Sequence, residues 1–140
     1  SFLQLDRQLC FPLYAVSRKI TQVYKPLLDE LNITYPQYLV LLVLWENGLQ
    51  TVNQIGEKLL LDSGTLTPLL KRLEQKELLS RTRSAADERI VEIALTARGV
   101  ALREKAECIP AKMFEQLGIS LEEVQQLKTI AHTILQHTNK

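Results

Sequence analysis

The stretch that decides the fold is residues 51–96, which read TVNQIGEKLLLDSGTLTPLLKRLEQKELLSRTRSAADERIVEIALT. Thr51 and Gln54 have the spacing of a capping box, which predicts the start of a short helix. A second helix is predicted over Thr65–Glu77, because the polar run 62–65 supplies side chains that can cap a helix N-terminus. Two helices this close together indicate a helix-turn-helix.

After the second helix the apolar pattern changes from a helical period to alternation. Leu79, Arg81 and Arg83 lead into the turn, and apolar residues recur at every second position in 89–95, which is typical of a strand. The small and acidic residues 84–88 lie between them and are predicted to form the tip of a hairpin. A helix-turn-helix followed by a hairpin is a winged helix-turn-helix, a module that reads double-stranded DNA.

The segments on either side are predicted to be amphipathic helices. In 1–33 apolar residues recur in steps of three and four, and 96–140 has the pattern of two further helices. The winged module, residues 34–95, is too small to cover these apolar stripes, so we expect them to pair with a second copy of the chain. The predicted fold is mainly α with a small β-hairpin wing (α+β), in one domain 1–140 with dimerisation helices at both ends.

Composition narrows the class of protein. The 140 residues are 46% hydrophobic and carry a net charge of +1, so a basic footprint for nucleic acid must be local or doubled by a partner subunit. Two distant cysteines argue against a disulfide scaffold or a zinc finger and favour the cytoplasm. We expect no membrane span, no cofactor and no metal site, since His132 and His137 lie on different helix faces.

The predicted DNA-reading residues lie on the second helix and on the wing. Hydroxyl side chains and free N–H groups at a helix N-terminus suit phosphates and base edges, and small side chains let the helix enter the major groove. An arginine near a hairpin tip fits a narrow minor groove. The candidates are Ser63, Thr65, Thr67, Lys71, Arg72, Arg81, Arg83 and Arg89.

Cys10 lies early in the first predicted helix and is the candidate for redox chemistry. A cysteine thiol at its reference pKa, about 8.5, is mostly protonated at neutral pH, so a sensor needs hydrogen bonds that favour the thiolate. Tyr14, one turn away, could donate one within the chain. Tyr24 lies fourteen residues on, roughly 21 Å along a straight helix, and reaches a Cys10 thiolate only across a dimer. From spacing alone, a lone cysteine is more often a small buried hydrophobe.

Several motifs together resemble the MarR-type winged-helix regulators. Asp87-Glu88-Arg89, followed by Leu95-Thr96, matches the D-x-R-x5-L-T signature of their wing. More narrowly, the segments 8–11, 31–39 and 61–72 are similar to those of the organic-hydroperoxide-sensing repressors (OhrR). The resemblance covers nearly the whole chain, and the combination of motifs is specific.

The resemblance implies a homodimeric repressor that releases its operator DNA when Cys10 is oxidised by organic hydroperoxides. It implies that Arg89 inserts into the minor groove while Asp87 supports the wing. It also implies that Tyr24 and Tyr35 hydrogen-bond the reactive cysteine of the partner subunit, so that oxidation disturbs an intersubunit network.

Cys108 is the candidate for a resolving cysteine, which would trap the oxidised Cys10 as an intersubunit disulfide. Its position does not match that of the resolving cysteine in similar repressors, which would fall near 115–118 here. We therefore expect a small-molecule thiol or a backbone nitrogen to trap the sulfenate instead, or Cys10 to be overoxidised.

Three alternatives stay open. The first is a MarR-type repressor that responds to a small aromatic ligand, with Cys10 a bystander; Cys10→Ser would separate it from a redox sensor. The second is a thiol peroxidase, but without a Cys-x-x-Cys or a second catalytic group we expect no enzyme. The third is a winged helix that contacts only protein, against which the wing arginines argue, and Arg89→Ala would test it.

Overall fold

A computed structural model of the chain describes residues 1–139. The fold is mainly helical with a small antiparallel sheet, as the sequence predicts. Two compact units divide the chain, Ser1–Ile109 and the part from Pro110 onward. In chain order the elements are α1 (Cys10–Asp29), α2 (Tyr35–Asn47), β1 (Gln50–Thr51), α3 (Val52–Leu59), α4 (Ser63–Gln75), β2 (Leu79–Arg83), β3 (Val91–Leu95), α5 (Ala97–Ala106), α6 (Ile109–Leu117) and α7 (Leu121–Thr138).

Short polar side chains fix the helix starts. Thr34, Thr51 and Ser120 each close a full capping box with the residue three positions on, which satisfies backbone N–H groups that a helix start leaves free. The capping box predicted at Thr51 is confirmed. Asp62 caps α4, so that helix begins at Ser63, two residues earlier than predicted.

The first long helix begins later than the apolar spacing in 1–33 suggests. Leu5–Arg7 form a single 3₁₀ turn, and α1 begins only at Cys10. Pro12 gives the reason, because a proline has no N–H to donate and fits a helix best in its first turn. At its other end α1 continues through Pro26 to Asp29.

The sheet has three strands in the order β1-β3-β2, all antiparallel. The predicted hairpin is confirmed, with Leu79 opposite Leu95 and Arg83 opposite Val91. Its returning strand starts at Val91 and not at Arg89. The pairing of Gln50–Thr51 with β3 was not predicted, since two residues are too few to show a period.

The core of the first unit lies where α2, α3 and α4 meet the sheet and the end of α1. The helix α5 approaches closely at Gly99, where a side chain would collide with the Leu78 carbonyl oxygen. Trp45 Nε1 donates to the Gly99 carbonyl oxygen at 2.9 Å, which ties the last turn of α2 to the first turn of α5. The largest fully buried side chains of this core include Leu28, Leu41, Leu44, Ile55, Leu66, Leu70, Leu73, Leu79 and Ile93.

The last helix, α7, is amphipathic but buries none of its residues. Its exposed apolar side chains are Leu121, Leu127, Ile130, Ile134 and Leu135. A second exposed apolar set lies in the first sixteen residues of the chain and includes Phe2, Leu3, Leu5, Leu9, Phe11, Leu13 and Val16. Within residues 1–139, the helices all lack the length and apolarity that a membrane span requires.

Candidate DNA-reading face and thiol site

The N-terminus of α4 presents small polar side chains to solvent. Asp62 Oδ1 accepts from the backbone N–H of Thr65 at 2.7 Å, and this hydrogen bond lowers the pKa of the Asp62 carboxyl. Ser63 and Thr65 are exposed beside it, while Thr67 is half-buried. These are the predicted hydroxyl side chains, and the fold does bring them to one helix end.

The basic residues of α4 lie further along the same helix. Lys71 and Arg72 are both exposed, whereas the buried side of α4 is formed by Leu66, Leu70 and Leu73. The cationic side chains are therefore free to meet a polyanion while the leucines hold the helix on the core.

The tip of the wing is built around Asp87. Its two carboxylate oxygens accept from Arg89 Nε and Nη2, each at 3.1 Å, and Oδ1 also accepts from the Arg89 backbone N–H at 3.0 Å. These bonds, first of all those of the Arg89 side chain, lower the pKa of the Asp87 carboxyl. The Arg89 side chain is nevertheless 90% exposed, so it is oriented by Asp87 and still free to contact a ligand.

The other two wing arginines have partners within the fold. Arg83 Nη1 donates to the Glu88 carbonyl oxygen at 2.8 Å and braces the hairpin tip. Arg81 Nε donates to Glu74 Oε1 at 3.1 Å, and its side chain is only 28% exposed. Arg81 is thus the least accessible of the predicted DNA-reading cations.

Cys10 is an exposed free thiol at the first position of α1. The N-cap residue, Leu9, has no polar side chain to cap the helix, so the N–H groups there stay available to a negative charge. Tyr14 is 62% exposed, and its ring packs against Arg18, whose guanidinium carbon lies 4.5 Å from the ring centroid. The predicted contact of Tyr14 with Cys10 stays a prediction.

Tyr24 and Tyr35 lie together, as a shared role would require. Their ring centroids are 4.8 Å apart, and Tyr38 joins them at 5.7 and 6.3 Å. Burial, with smaller effects of the neighbouring tyrosines, raises the pKa of Tyr24 to about 12, so its hydroxyl keeps its proton and remains a donor. Tyr38 was not predicted as a site residue, although its spacing of three from Tyr35 already places both on one helix face.

A cavity of about 500 Å³ opens between α1 and the start of α2. Tyr35 lines it, together with Arg18 and Lys25 from α1. The cavity therefore combines an apolar wall and a phenol with the Arg18 guanidinium, while the Lys25 ammonium is paired at 3.0 Å with Asp29, which also lines the cavity.

Cys108 lies exposed between α5 and α6. Its Sγ is 3.8 Å from the Lys105 carbonyl oxygen, one turn back in the chain. Both cysteines of the described residues 1–139 are free thiols, and a resolving role for Cys108 stays a prediction.

Comparison with known proteins decides the family. Residues 22–106 match the family model of the transcriptional regulators SarA/Rot. Over 134 residues the chain is 55% identical to the organic hydroperoxide resistance transcriptional regulator of Bacillus subtilis (strain 168), covering 96% of this chain and 91% of that protein. This chain belongs to the MarR/SarA family of winged-helix transcriptional regulators.

Solved structures of this family share the fold. Reduced AbfR bound to DNA is 40% identical with a TM-score of 0.80, covering 97% of this chain and 95% of that one. AbfR, a protein of Staphylococcus epidermidis, has also been solved overoxidised on DNA and with a disulfide formed. A mutant MarR of E. coli in complex with operator DNA is 25% identical with a TM-score of 0.82, covering 91% and 93%. The winged-helix fold and the MarR-type family predicted from the sequence are confirmed.

Proposed function

We propose that this regulator is a homodimeric repressor that binds operator DNA and releases it when organic hydroperoxides oxidise Cys10. The observation that carries the proposal is the 55% identity, over nearly the whole chain, to a regulator of organic hydroperoxide resistance. An exposed Cys10 at a helix N-terminus supports it. In this proposal the protein acts in the cytoplasm. It is a switch and not an enzyme, because one oxidation of Cys10 suffices for one release of DNA.

DNA binding falls to the module 34–95, with the helices of 1–33 and 96–140 joining two copies. The N-terminus of α4 enters the major groove, where Ser63, Thr65 and Thr67 approach phosphates and base edges. Arg89 enters the minor groove, oriented by Asp87. Lys71, Arg72 and Arg83 add contacts to the phosphate backbone, whereas Arg81 holds the wing to α4 through Glu74.

The exposed apolar side chains support the dimer. Single exposed hydrophobic residues are normal on a protein surface, but contiguous sets mark an interaction surface. Two such sets lie on this chain, one within residues 1–16 and one on α7. A second copy of the chain that covers both would present two reading heads to two half-sites of an operator.

The chemistry needs only the thiolate and the peroxide. The Cys10 sulfur attacks the terminal peroxide oxygen; a sulfur–oxygen bond forms while the oxygen–oxygen bond breaks, and the alkoxide that leaves takes up a proton. The products are a sulfenic acid and an alcohol. Tyr24 and Tyr35 of the partner subunit hydrogen-bond the thiolate before this step, and Tyr14 does so from the same chain.

A sulfenate is short-lived, so a trapping step must follow. A small-molecule thiol or a backbone nitrogen is the favoured trap, since Cys108 lies between α5 and α6 and not near 115–118, where the resolving cysteine of similar repressors would fall. The overoxidised and disulfide-bonded forms of AbfR concern that relative and give the two further products to look for here.

The test is operator binding measured with and without peroxide. A DNA duplex selected from a random pool on the reduced protein serves as the probe, and fluorescence anisotropy gives the dissociation constant. One equivalent of cumene hydroperoxide should weaken binding by about 10-fold or more, within the range usual for allosteric coupling. Cys10→Ser should keep the affinity of the reduced protein and lose the response, while the matched control Cys108→Ser should keep both.

Three outcomes separate the possibilities. If Cys10→Ser still responds to peroxide, Cys10 is not the sensor. If Cys108→Ser prevents release, or mass analysis finds a disulfide between Cys10 and Cys108, then Cys108 is the resolving residue. If peroxide leaves the wild type on DNA but a small aromatic acid removes it, the cavity lined by Arg18, Lys25 and Tyr35 is the effector site.

A further inference from the structure

The side chain of Lys76 connects two distant parts of the first unit. Lys76 is the residue that ends α4, and its backbone N–H closes the helix on the Arg72 and Glu74 carbonyl oxygens. Its Nζ donates to the Asn32 carbonyl oxygen at 2.7 Å and to Gln37 Oε1 at 2.9 Å. Asn32 lies in the connection between α1 and α2, and Gln37 lies in the first turn of α2; the two acceptors are 44 and 39 residues away in the chain.

The acceptors of Lys76 hold the turn that carries Tyr35. Gln37 is 2% exposed, and its Oε1 also accepts from the Thr34 backbone N–H at 3.0 Å, which completes the capping box of α2. Tyr35 is the first residue of α2, directly after Thr34. A shift of Tyr35 therefore moves the oxygen atoms that Lys76 Nζ contacts.

Lys76 also bridges two helix ends with the same backbone geometry. Asn32 after α1 and Glu77 after α4 both adopt the left-handed conformation, with φ of 56° and 61°. Such residues end a helix abruptly and let the chain reverse. One lysine thus joins the reversal after the helix that carries Cys10 to the reversal after the helix that carries the DNA-reading hydroxyls.

We propose that Lys76 is a positioning residue that couples the state of the Cys10–Tyr35 site to the orientation of α4. The proposal rests on the proposed function, since it names how oxidation at that site reaches the DNA-reading helix. When oxidation displaces Tyr35, the acceptor oxygens at Asn32 and Gln37 shift, and the ammonium group transmits the shift to the end of α4. Coupling of this kind requires a structural element that both sites can bias. Here that element is α4, and the directional hydrogen bonds of Lys76 connect its end to Asn32 and Gln37.

The structure shows why Lys76 can be removed without removing the fold. Its two acceptors are neutral oxygens, and Gln37 Oε1 keeps the Thr34 N–H when the lysine is gone. The capping box of α2 and the buried leucines of α4 remain in place. Lys76→Met keeps the length of the stem and deletes the donor together with its charge, and a control that removes the same charge elsewhere then isolates the connection.

The experiment compares the operator dissociation constants of the oxidised and the reduced protein. In Lys76→Met the reduced protein should bind DNA within about threefold of wild type, as expected for a mild substitution. The ratio of oxidised to reduced dissociation constants should fall about 10-fold toward one. Intact-mass analysis should show Cys10 oxidised as in wild type. Lys58→Met is the matched control, since Lys58 lies in the last turn of α3 and its Nζ contacts Gln50.

The outcomes keep this proposal apart from the proposed function. A wild-type ratio in Lys76→Met overturns the coupling role while leaving the sensor intact, and a ratio of one in the wild type overturns the sensor itself. Lys76→Arg keeps donors for both oxygens and should restore the wild-type ratio of oxidised to reduced dissociation constants. If Lys76 only stabilised the fold, this ratio would not fall in Lys76→Met and recover in Lys76→Arg. If Lys76→Met does not fold, Lys76→Ala, which also deletes the donor, tests the same point.

Discussion

Arg89→Ala should weaken operator binding by the reduced dimer and leave its fold unchanged. The Arg89 side chain is 90% exposed, and its hydrogen bonds run only to Asp87 two residues away. Its removal therefore opens no cavity and strands no buried partner. What is lost is a cation at the tip of each wing, whose direction is fixed by Asp87.

The size of the effect follows from the number of wings. An arginine contact that reads a groove contributes about 1–3 kcal/mol, so two wings give about 2–6 kcal/mol, or roughly 30-fold to 10⁴-fold in affinity. Each lost phosphate-type contact also reduces the slope of log K against log salt by about 0.9, which makes about 1.8 for the dimer. The chain carries a net charge of only +1, so no general positive field compensates for the loss.

Fluorescence anisotropy over a series of salt concentrations measures both quantities at once. Arg98→Ala is the matched control, because it removes the same charge from α5. The Arg98 side chain is 69% exposed and pairs with Glu77 at 3.5 Å. Asp87→Ala adds a second test, since it leaves the Arg89 charge but frees its direction, and should give an intermediate loss. If Arg89→Ala binds within threefold of wild type, or if Arg98→Ala weakens binding equally, the wing does not read DNA through Arg89.

Two further predictions concern the first unit. Gly99→Ala should destabilise the protein by about 3 kcal/mol in urea unfolding, because the added methyl group meets the Leu78 carbonyl oxygen. The control Gly64→Ala should be nearly neutral, since its methyl group meets only Asp62 Oδ1 at 3.4 Å. Equal effects of the two substitutions would show that α5 does not approach closely at Gly99. The raised pKa of Tyr24, about 12 against 10.0, favours the protonated phenol in the folded state. This contribution to the free energy of unfolding is present below pH 10 and is lost as the pH rises through 12. Tyr24→Phe should therefore make the free energy of unfolding less dependent on pH in the alkaline range. An unchanged pH dependence would contradict the burial of the Tyr24 hydroxyl.

Local signals in the sequence were enough to place most helices and the wing. The capping box of Thr51 and Gln54 involves residues three apart, and the bonds between Asp87 and Arg89 span two residues. In each case the spacing alone brings the groups within reach, because backbone geometry fixes short distances. The N-terminus of α4 and the hairpin could therefore be predicted as neighbouring parts of one DNA-reading face.

Contacts between distant residues could not be predicted in the same way. Lys76 looks like one more surface cation near the end of a helix, and nothing in the neighbouring sequence indicates that Asn32 and Gln37 accept hydrogen bonds from it. The bond from Trp45 to Gly99 spans 54 residues and depends on how α5 packs. Such pairs arise from tertiary packing, which sequence periodicity does not encode.

The order of residues along α1 makes the proposed sensing depend on dimerisation. Cys10 and Tyr24 lie on the same helix, fourteen residues and roughly 21 Å apart, and Tyr24 packs against Tyr35 within its own chain. Tyr24 and Tyr35 of one subunit can thus hydrogen-bond only the Cys10 of the other. Dilution below the dimer dissociation constant should then remove operator affinity and the peroxide sensitivity of Cys10 together, whereas an effector site contained in one chain would still bind its ligand in the monomer.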